Sequence, residues 1–333
     1  MSVEQTTPTT AGPSIAEPIS AQLKTGATQG LRKGLHGFLW ITKILVPVSL
    51  AVAILDWTGW LYALDPVFQP VMGLINLPPQ AALPILSAMF TSFYAGLAMI
   101  VVIPFTQEQV MLLAIFITIC HMLIVEGIIQ HKAGFNFLQT DILRIVTAGV
   151  TVYVVSLFFP GTENPVAMPD SLAASVPLTD MLLTWLVSTL QLLAKIVLVI
   201  TAVMIAIETM KVLGWTDRLA NLFRPLMKVM GLSPSVATMW VAGVFFGIIY
   251  GAAVITEEAE SGRCTPDELR RLHMHLGINH STIEDPALFL ALGISLFWTI
   301  VPRLIAAAVV VNLYNLVVKI WSRVRARPAE TSS

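Results

Sequence analysis

Charge is what this sequence has least of. Of its 333 residues only 12% are Asp, Glu, Lys or Arg, while 56% are hydrophobic; soluble domains carry about a quarter charged residues. A soluble core of this length could not hide so much apolar surface, whereas a bilayer could. That excludes an ordinary water-soluble enzyme. Neither sign of charge is in excess, the formal net charge being −1, so the basic face a nucleic-acid binder needs is absent. Cysteine is scarce as well. Cys120 and Cys264 stand far apart in unlike contexts and make neither a disulfide framework nor a paired CxxC centre. Also missing are a glycine-rich phosphate loop, a dinucleotide fingerprint, an HExxH pair and a nucleophile constellation. The chain is therefore expected to be no enzyme, to drive nothing with ATP, and to hold no cofactor and no metal. Residues 1–34 contain no apolar run behind basic residues, so no cleaved secretory signal is expected there.

What is present is one unit written twice. Gly59-Trp60 recurs 155 residues later as Gly214-Trp215, and Leu64, Phe68, Pro70, Met72, Leu77 and Pro79 recur as Leu219, Phe223, Pro225, Met227, Leu232 and Pro234. After a four-residue gain near Glu260–Cys264 the offset becomes 159, and His121 pairs with His280, Glu126 with Asp285 and Arg144 with Arg303. The expected organisation is a disordered tail (1–34), a first membrane repeat (35–160), a proline-bearing linker (161–180), a second repeat (181–320) and a basic C-terminal tail (321–333). Apolar periodicity predicts helical segments over 37–57, 80–104, 109–130 and 138–160, then 181–211, 235–256, 266–284 and 286–319. Shorter amphipathic stretches fall at 64–76 and 217–231.

Loop charge sets the expected orientation. Both ends are basic, with Lys24, Arg32 and Lys33 at one and Arg323, Arg325 and Arg327 at the other; loop 57–80 has no Lys or Arg, while its counterpart 211–234 has Lys211, Arg218, Arg224 and Lys228. Both termini are expected on the cytoplasmic side of a bacterial inner membrane, and the two copies are expected to be inverted. Inversion needs an odd number of crossings per copy, so one of the four segments in each must be re-entrant, broken or interfacial. Segment 266–284 is the polar candidate, with 109–130 as its counterpart, giving six crossings and two non-crossing elements.

The chemistry is concentrated in copy two. Residues 257–285 read EEAESGRCTPDELRRLHMHLGINHSTIED, where copy one is nearly all Val, Ile, Leu and Met between Met111 and Val125. Ionisable groups at membrane depth cost several kcal/mol unless paired or hydrated, so this run either lies outside the bilayer or lines a polar cavity. Thr106, Thr265 and Ser281 each open a capping-box pattern, which makes Glu284 either a cap or a substrate ligand at a helix N-terminus. On a regular turn His280 and Glu284 share one helix face, with Asp285 adjacent and Asn279 and Ser281 flanking. His273 and His275 are read as plain surface or lining residues. Arg144 and Arg303 are read as structural, capping a helix or pairing with Glu126 or Asp285. Gly243, Gly247 and Gly251 let a backbone, or a ligand, approach closely.

The stretch MGLSPSVATMWVAGVFFGIIYGAAVI, followed by HLGINHSTIEDPALF, resembles the nucleoside-recognition, or Gate, domain family of bacterial membrane proteins. It is also similar to modules of concentrative nucleoside carriers, ferrous-iron permeases and spore maturation membrane proteins. The resemblance implies an all-α polytopic membrane protein of two inverted Gate-like repeats, with a binding site near hairpin tips. The implied substrate-binding residues are Asn279, His280, Ser281, Glu284, Asp285, Gly247 and Gly251, with Glu257 and Glu258 selecting a coupling ion. The expected function is transport or binding of a small polar solute such as a nucleoside, coupled to H⁺ or Na⁺. The alternatives are a non-transporting subunit of a larger complex, which would dock a partner through 266–277, and a divalent-cation (ferrous iron) permease component. A homo-oligomer is a further expected partner, besides the lipid bilayer.

Overall fold

The computed structural model describes residues 18–60, 62–132, 135–164, 177–247 and 264–325, and the regular structure among them is all helical. In hydrocarbon each backbone N–H and C=O must be satisfied within its own segment, which for an unclosed structure leaves only helices. Thirteen α-helices follow in chain order: α1 (Ile19–Trp57), α2 (Asp65–Gly73), α3 (Ala82–Phe90), α4 (Phe93–Val102), α5 (Gln107–Ile119), α6 (Leu123–Lys132), α7 (Phe137–Ser156), α8 (Leu178–Val212), α9 (Trp215–Met227), α10 (Ala237–Phe246), α11 (Pro266–Ile278), α12 (Glu284–Ala291) and α13 (Leu296–Arg325). Five are long and apolar enough to cross a membrane: α1, α7, α8, α13, and the stretch Gln107–His131 formed by α5 and α6 together.

The first helix corrects the expected N-terminal tail, because it begins at Ile19 and takes in residues 19–34. Its partner explains why. α1 and α8 lie antiparallel, with Gly26, Gly30 and Gly34 set against Thr209, Ile205 and Thr201; a methyl group on Gly30 would stand 2.4 Å from the Ile205 Cα. Small residues at every fourth position let two backbones meet, and dispersion plus close packing supplies the contact energy. Lys33 Nζ and Lys211 Nζ then share the Glu208 carboxylate at 2.7 and 2.9 Å, which ties the two helices together at that level.

The expected single helix over 80–104 is instead a hairpin. Ser92 caps α4 by accepting from the Ala95 N–H, Ser87 Oγ donates to Met99 Sδ at 3.3 Å, and Gly96 sits against Ala88 and the Pro84 carbonyl. Helices of nine and ten residues, at about 1.5 Å per residue, rise only about 15 Å, half the roughly 30 Å of hydrocarbon. Neither helix of this hairpin is long enough to cross the hydrocarbon alone, whereas the stretch Gln107–His131 is. The expected helix 286–319 is likewise divided, because Gly293 takes φ +89° and the chain turns before α13.

Segment 109–130 reads as a lipid-facing span because it is apolar all round, and the reason is protein burial: every residue from Gln109 to Ile119 is buried. A helix apolar on all faces is a core helix when other helices enclose it. Here α5 packs against α7, α13, α3, α4 and α12, so it runs through the centre of the bundle.

The α1–α8 contact yields a controlled test. Gly30→Ala forces the helices apart, and overpacking of this kind costs about 1–3 kcal/mol. Gly37, whose added methyl meets only the Ile200 Cδ1 at 3.7 Å, provides the control. Thermal unfolding in detergent is expected to show a lowered Tm for Gly30→Ala and an unchanged or raised Tm for Gly37→Ala.

Candidate functional site

Both central helices break, and they break alike. α5 ends at Cys120 with φ −131° and ψ 71°, and α11 ends at Asn279 with φ −133° and ψ 82°. Two residues on, Met122 and Ser281 take left-handed φ values of 45° and 47°. Each is held there by the preceding short helix of its own half: Met122 N–H donates to the Ala88 carbonyl at 2.8 Å, and Ser281 N–H to the Gly243 carbonyl at 3.2 Å. Both helices also begin alike, on the capping boxes of Thr106 with Gln109 and Thr265 with Glu268. The third capping box, expected at Ser281, does not form; α12 begins at Glu284 with no side-chain cap.

The two histidines stand at these breaks. His121 Nδ1 lies 2.8 Å from the Ile117 carbonyl, and His280 Nδ1 lies 2.8 Å from the Leu276 carbonyl, each four residues back along its own chain. Their rings face one another with centroids 5.2 Å apart. Between them lies Glu126, whose Oε1 is 3.1 Å from His121 Nε2 and 3.3 Å from His280 Nε2. The expected pairing of His280 with Glu284 is therefore not the one found. The left-handed residue Ser281 interrupts the turn, so the i, i+4 geometry is lost and the carboxylate that reaches His280 comes from the first half.

The arginines complete the centre. Arg144, on α7, pairs through Nη1 with Glu126 Oε2 at 2.7 Å. It also donates from Nε to the Ile119 carbonyl at 2.9 Å and from Nη2 to the His121 carbonyl at 2.7 Å. Arg303, on α13, donates to the Thr118 carbonyl at 3.1 Å and lies within electrostatic reach of Asp285. A helix that stops inside a bundle leaves carbonyls unpaired and a negative dipole end; two guanidiniums answer both. Asp285 Oδ2 is 4.0 Å from His121 Nε2 and, though buried, has no hydrogen-bond partner. The six residues His121, Glu126, Arg144, His280, Asp285 and Arg303 are between 0 and 7% exposed. Phe93 closes one side, with its ring 5.2 Å from that of His121 and 5.6 Å from that of Phe289.

The other expected site residues fall as follows. Asn279 is buried and accepts from Thr282 Oγ1 through its Oδ1 at 3.3 Å. Glu284 accepts from the Tyr94 hydroxyl at 3.3 Å, which brings the first-half hairpin to the rim of the site. Gly247 takes φ +87°, and a methyl there would meet Ser281 Oγ at 2.7 Å, so this glycine serves a backbone approach. Gly251, Glu257 and Glu258 lie outside the described residues. His273 and His275 correct their reading as surface or lining residues: both are buried, His273 stacked on Phe135 and His275 accepting from Trp240 Nε1 at 3.1 Å. Residue-type reasoning placed the site in the second half alone and left out His121, Glu126 and Tyr94. The offset that equates His121 with His280 and Glu126 with Asp285 carried the signal for two of them.

Apolar helices of spanning length around a buried, shared cluster of ionisable side chains define a polytopic membrane protein. The chain belongs to the Gate family, described as nucleoside recognition, which matches residues 38–132 and 193–317. It is also similar, at 28% identity over 291 residues, to YvoD of Bacillus subtilis (strain 168), described as an uncharacterized membrane protein; the alignment covers 85% of this chain and 92% of that protein. No solved structure matches it.

The Glu126–Arg144 pair makes a direct prediction. Removing one partner strands a buried charge and typically costs about 3–5 kcal/mol, while removing both costs much less. Denaturant unfolding in micelles is expected to show Glu126→Gln and Arg144→Met each strongly destabilised, with part of that stability regained in the double variant.

Proposed function

We propose that this protein is a membrane transporter, or solute-binding protein, for a small polar solute, and that the solute is taken at the junction of the two helix breaks. The observation that carries the reading is the cluster itself. Charged groups in a membrane interior are expensive, and they are retained where they pair and where they meet a substrate or ion. Broken helices meeting at membrane depth, with polar backbone and side chains at the break, are how many secondary transporters build such sites. The antiparallel α1–α8 pair and the likeness of the two breaks support an inverted arrangement of the halves. In that arrangement each half contributes three crossings and one non-crossing element, both termini lie on the cytoplasmic side of a bacterial inner membrane, and a nucleoside, named by the family description, is the first solute to test. H⁺ or Na⁺ is the driving ion.

Glu284→Gln keeps the size of the side chain and can still accept from Tyr94, but it removes the charge at the start of α12. With nucleosides, nucleobases, amino acids and cations as the panel, a bound ligand at a hundred times its Kd adds roughly 2.7 kcal/mol to stability, readily seen as a raised Tm. The wild-type protein is expected to respond to one solute class, and Glu284→Gln to unfold normally without responding. Equal responses in both would remove Glu284 from the site.

A further inference from the structure

We infer that His121, Glu126 and His280 form a binding site for one divalent transition-metal cation, with two imidazole nitrogens and one carboxylate oxygen as ligands. The inference rests on the reading above, that the junction of the breaks is where a solute binds, and it narrows that solute to a metal ion.

The argument is a count of donors and acceptors. A backbone carbonyl can only accept, so the Nδ1 atoms that lie 2.8 Å from the Ile117 and Leu276 carbonyls carry the ring protons. In its neutral form each ring turns an Nε2 lone pair toward the same atom, Glu126 Oε1, at 3.1 and 3.3 Å. The three ligand atoms lie within 4.8 Å of one another, so a positive species belongs between them, either a second proton on a ring or a metal cation, and a cation can be held by all three at once. An Nδ1–H held by a carbonyl, with Nε2 left for the metal, is also how outer-shell contacts fix the ring of a ligating histidine. Arg144 performs the same service for the carboxylate: it takes Oε2 at 2.7 Å and leaves Oε1 turned to the two histidines.

Glu126, Glu284 and Asp285 gather at the junction with the guanidiniums of Arg144 and Arg303, and Lys211 lies within electrostatic reach of Glu284. Asp285 Oδ2, buried without a hydrogen-bond partner and 4.0 Å from His121 Nε2, stands at the edge of the set as a further oxygen donor. Two imidazoles and a carboxylate suit zinc, cobalt and ferrous ions, whereas calcium and magnesium take oxygen donors. The set could not be seen in the spacing of either half, because each half supplies only part of it.

The test uses the full chain, purified in detergent, treated with a chelator and titrated with Co²⁺, whose visible d–d bands report a low-coordinate site. One Co²⁺ per chain is expected, displaced by Zn²⁺ and not by Ca²⁺ or Mg²⁺. Loss of a group that merely hydrogen-bonds a metal ligand typically costs about 10–100-fold in metal affinity, so loss of a ligand itself in His121→Ala or His280→Ala is expected to weaken binding at least about tenfold. His280→Gln, closer in volume, replaces His280→Ala if the latter unfolds. A folded wild-type chain that takes up neither Co²⁺ nor Zn²⁺ overturns the inference. So does undiminished binding in a folded His121→Ala/His280→Ala double variant. A nucleoside that stabilises the protein in the absence of metal uptake overturns the metal assignment and leaves the polar-solute reading standing. Stoichiometric metal binding without flux into proteoliposomes upholds the metal site and removes only the transport reading.

Discussion

The structure depends on one constraint: α5 and α11 stop in the middle of the bundle, and everything their ends expose has to be answered there. A helix terminus in a low-dielectric interior carries unpaired carbonyls and a partial negative charge. Arg144 and Arg303 both meet carbonyls at the α5 end, those of Thr118, Ile119 and His121, and their own charge then requires carboxylates. Glu126 supplies one in direct contact, and Asp285 supplies another within electrostatic reach. The histidines fill the gap between the two ends. Remove the breaks and none of these six side chains has a reason to be buried.

The hairpin α3–α4 and the short helix α10 matter because they hold the breaks in shape. Left-handed φ at Met122 and Ser281 is unfavourable for residues with a Cβ, so a neighbouring acceptor has to over-determine it. The Ala88 and Gly243 carbonyls do so. Strained backbone of this kind tends to collect at sites where a ligand or a switch uses it, which fits a junction built for binding better than one built for stability alone.

Much of this was legible in the sequence. The helical membrane class followed from scarce charge, the amphipathic connectors α2 and α9 from periodicity, and the helix starts at Thr106 and Thr265 from their capping boxes. The role of Arg144 as a cap and as the partner of Glu126 was legible too. The offset that pairs His121 with His280 singled out residues that the structure brings into contact. What spacing could not reveal was that equivalent residues of the two halves face each other. Sequence distance on one helix predicts neighbours on that helix, and Ser281 breaks the turn that would have joined His280 to Glu284. The N-terminal extension of α1 was missed because its composition is polar, although glycine at positions 26, 30 and 34 was a visible packing signal. The hairpin at 80–104 was hidden by uniform hydrophobicity, with only Thr91-Ser92 to mark the turn.

The central claim is that the two halves share one energetically coupled centre. A double-mutant cycle on folding stability, pairing Glu126→Gln in the first half with His280→Ala in the second, tests it most directly. Contacting residues couple by about 0.5–3 kcal/mol, whereas independent sites add to within about 0.5 kcal/mol. The account predicts a coupling energy of about 1 kcal/mol or more, the size expected of ionisable side chains in direct contact. Strict additivity would mean that the histidine and the carboxylate do not act on one another, and would contradict it.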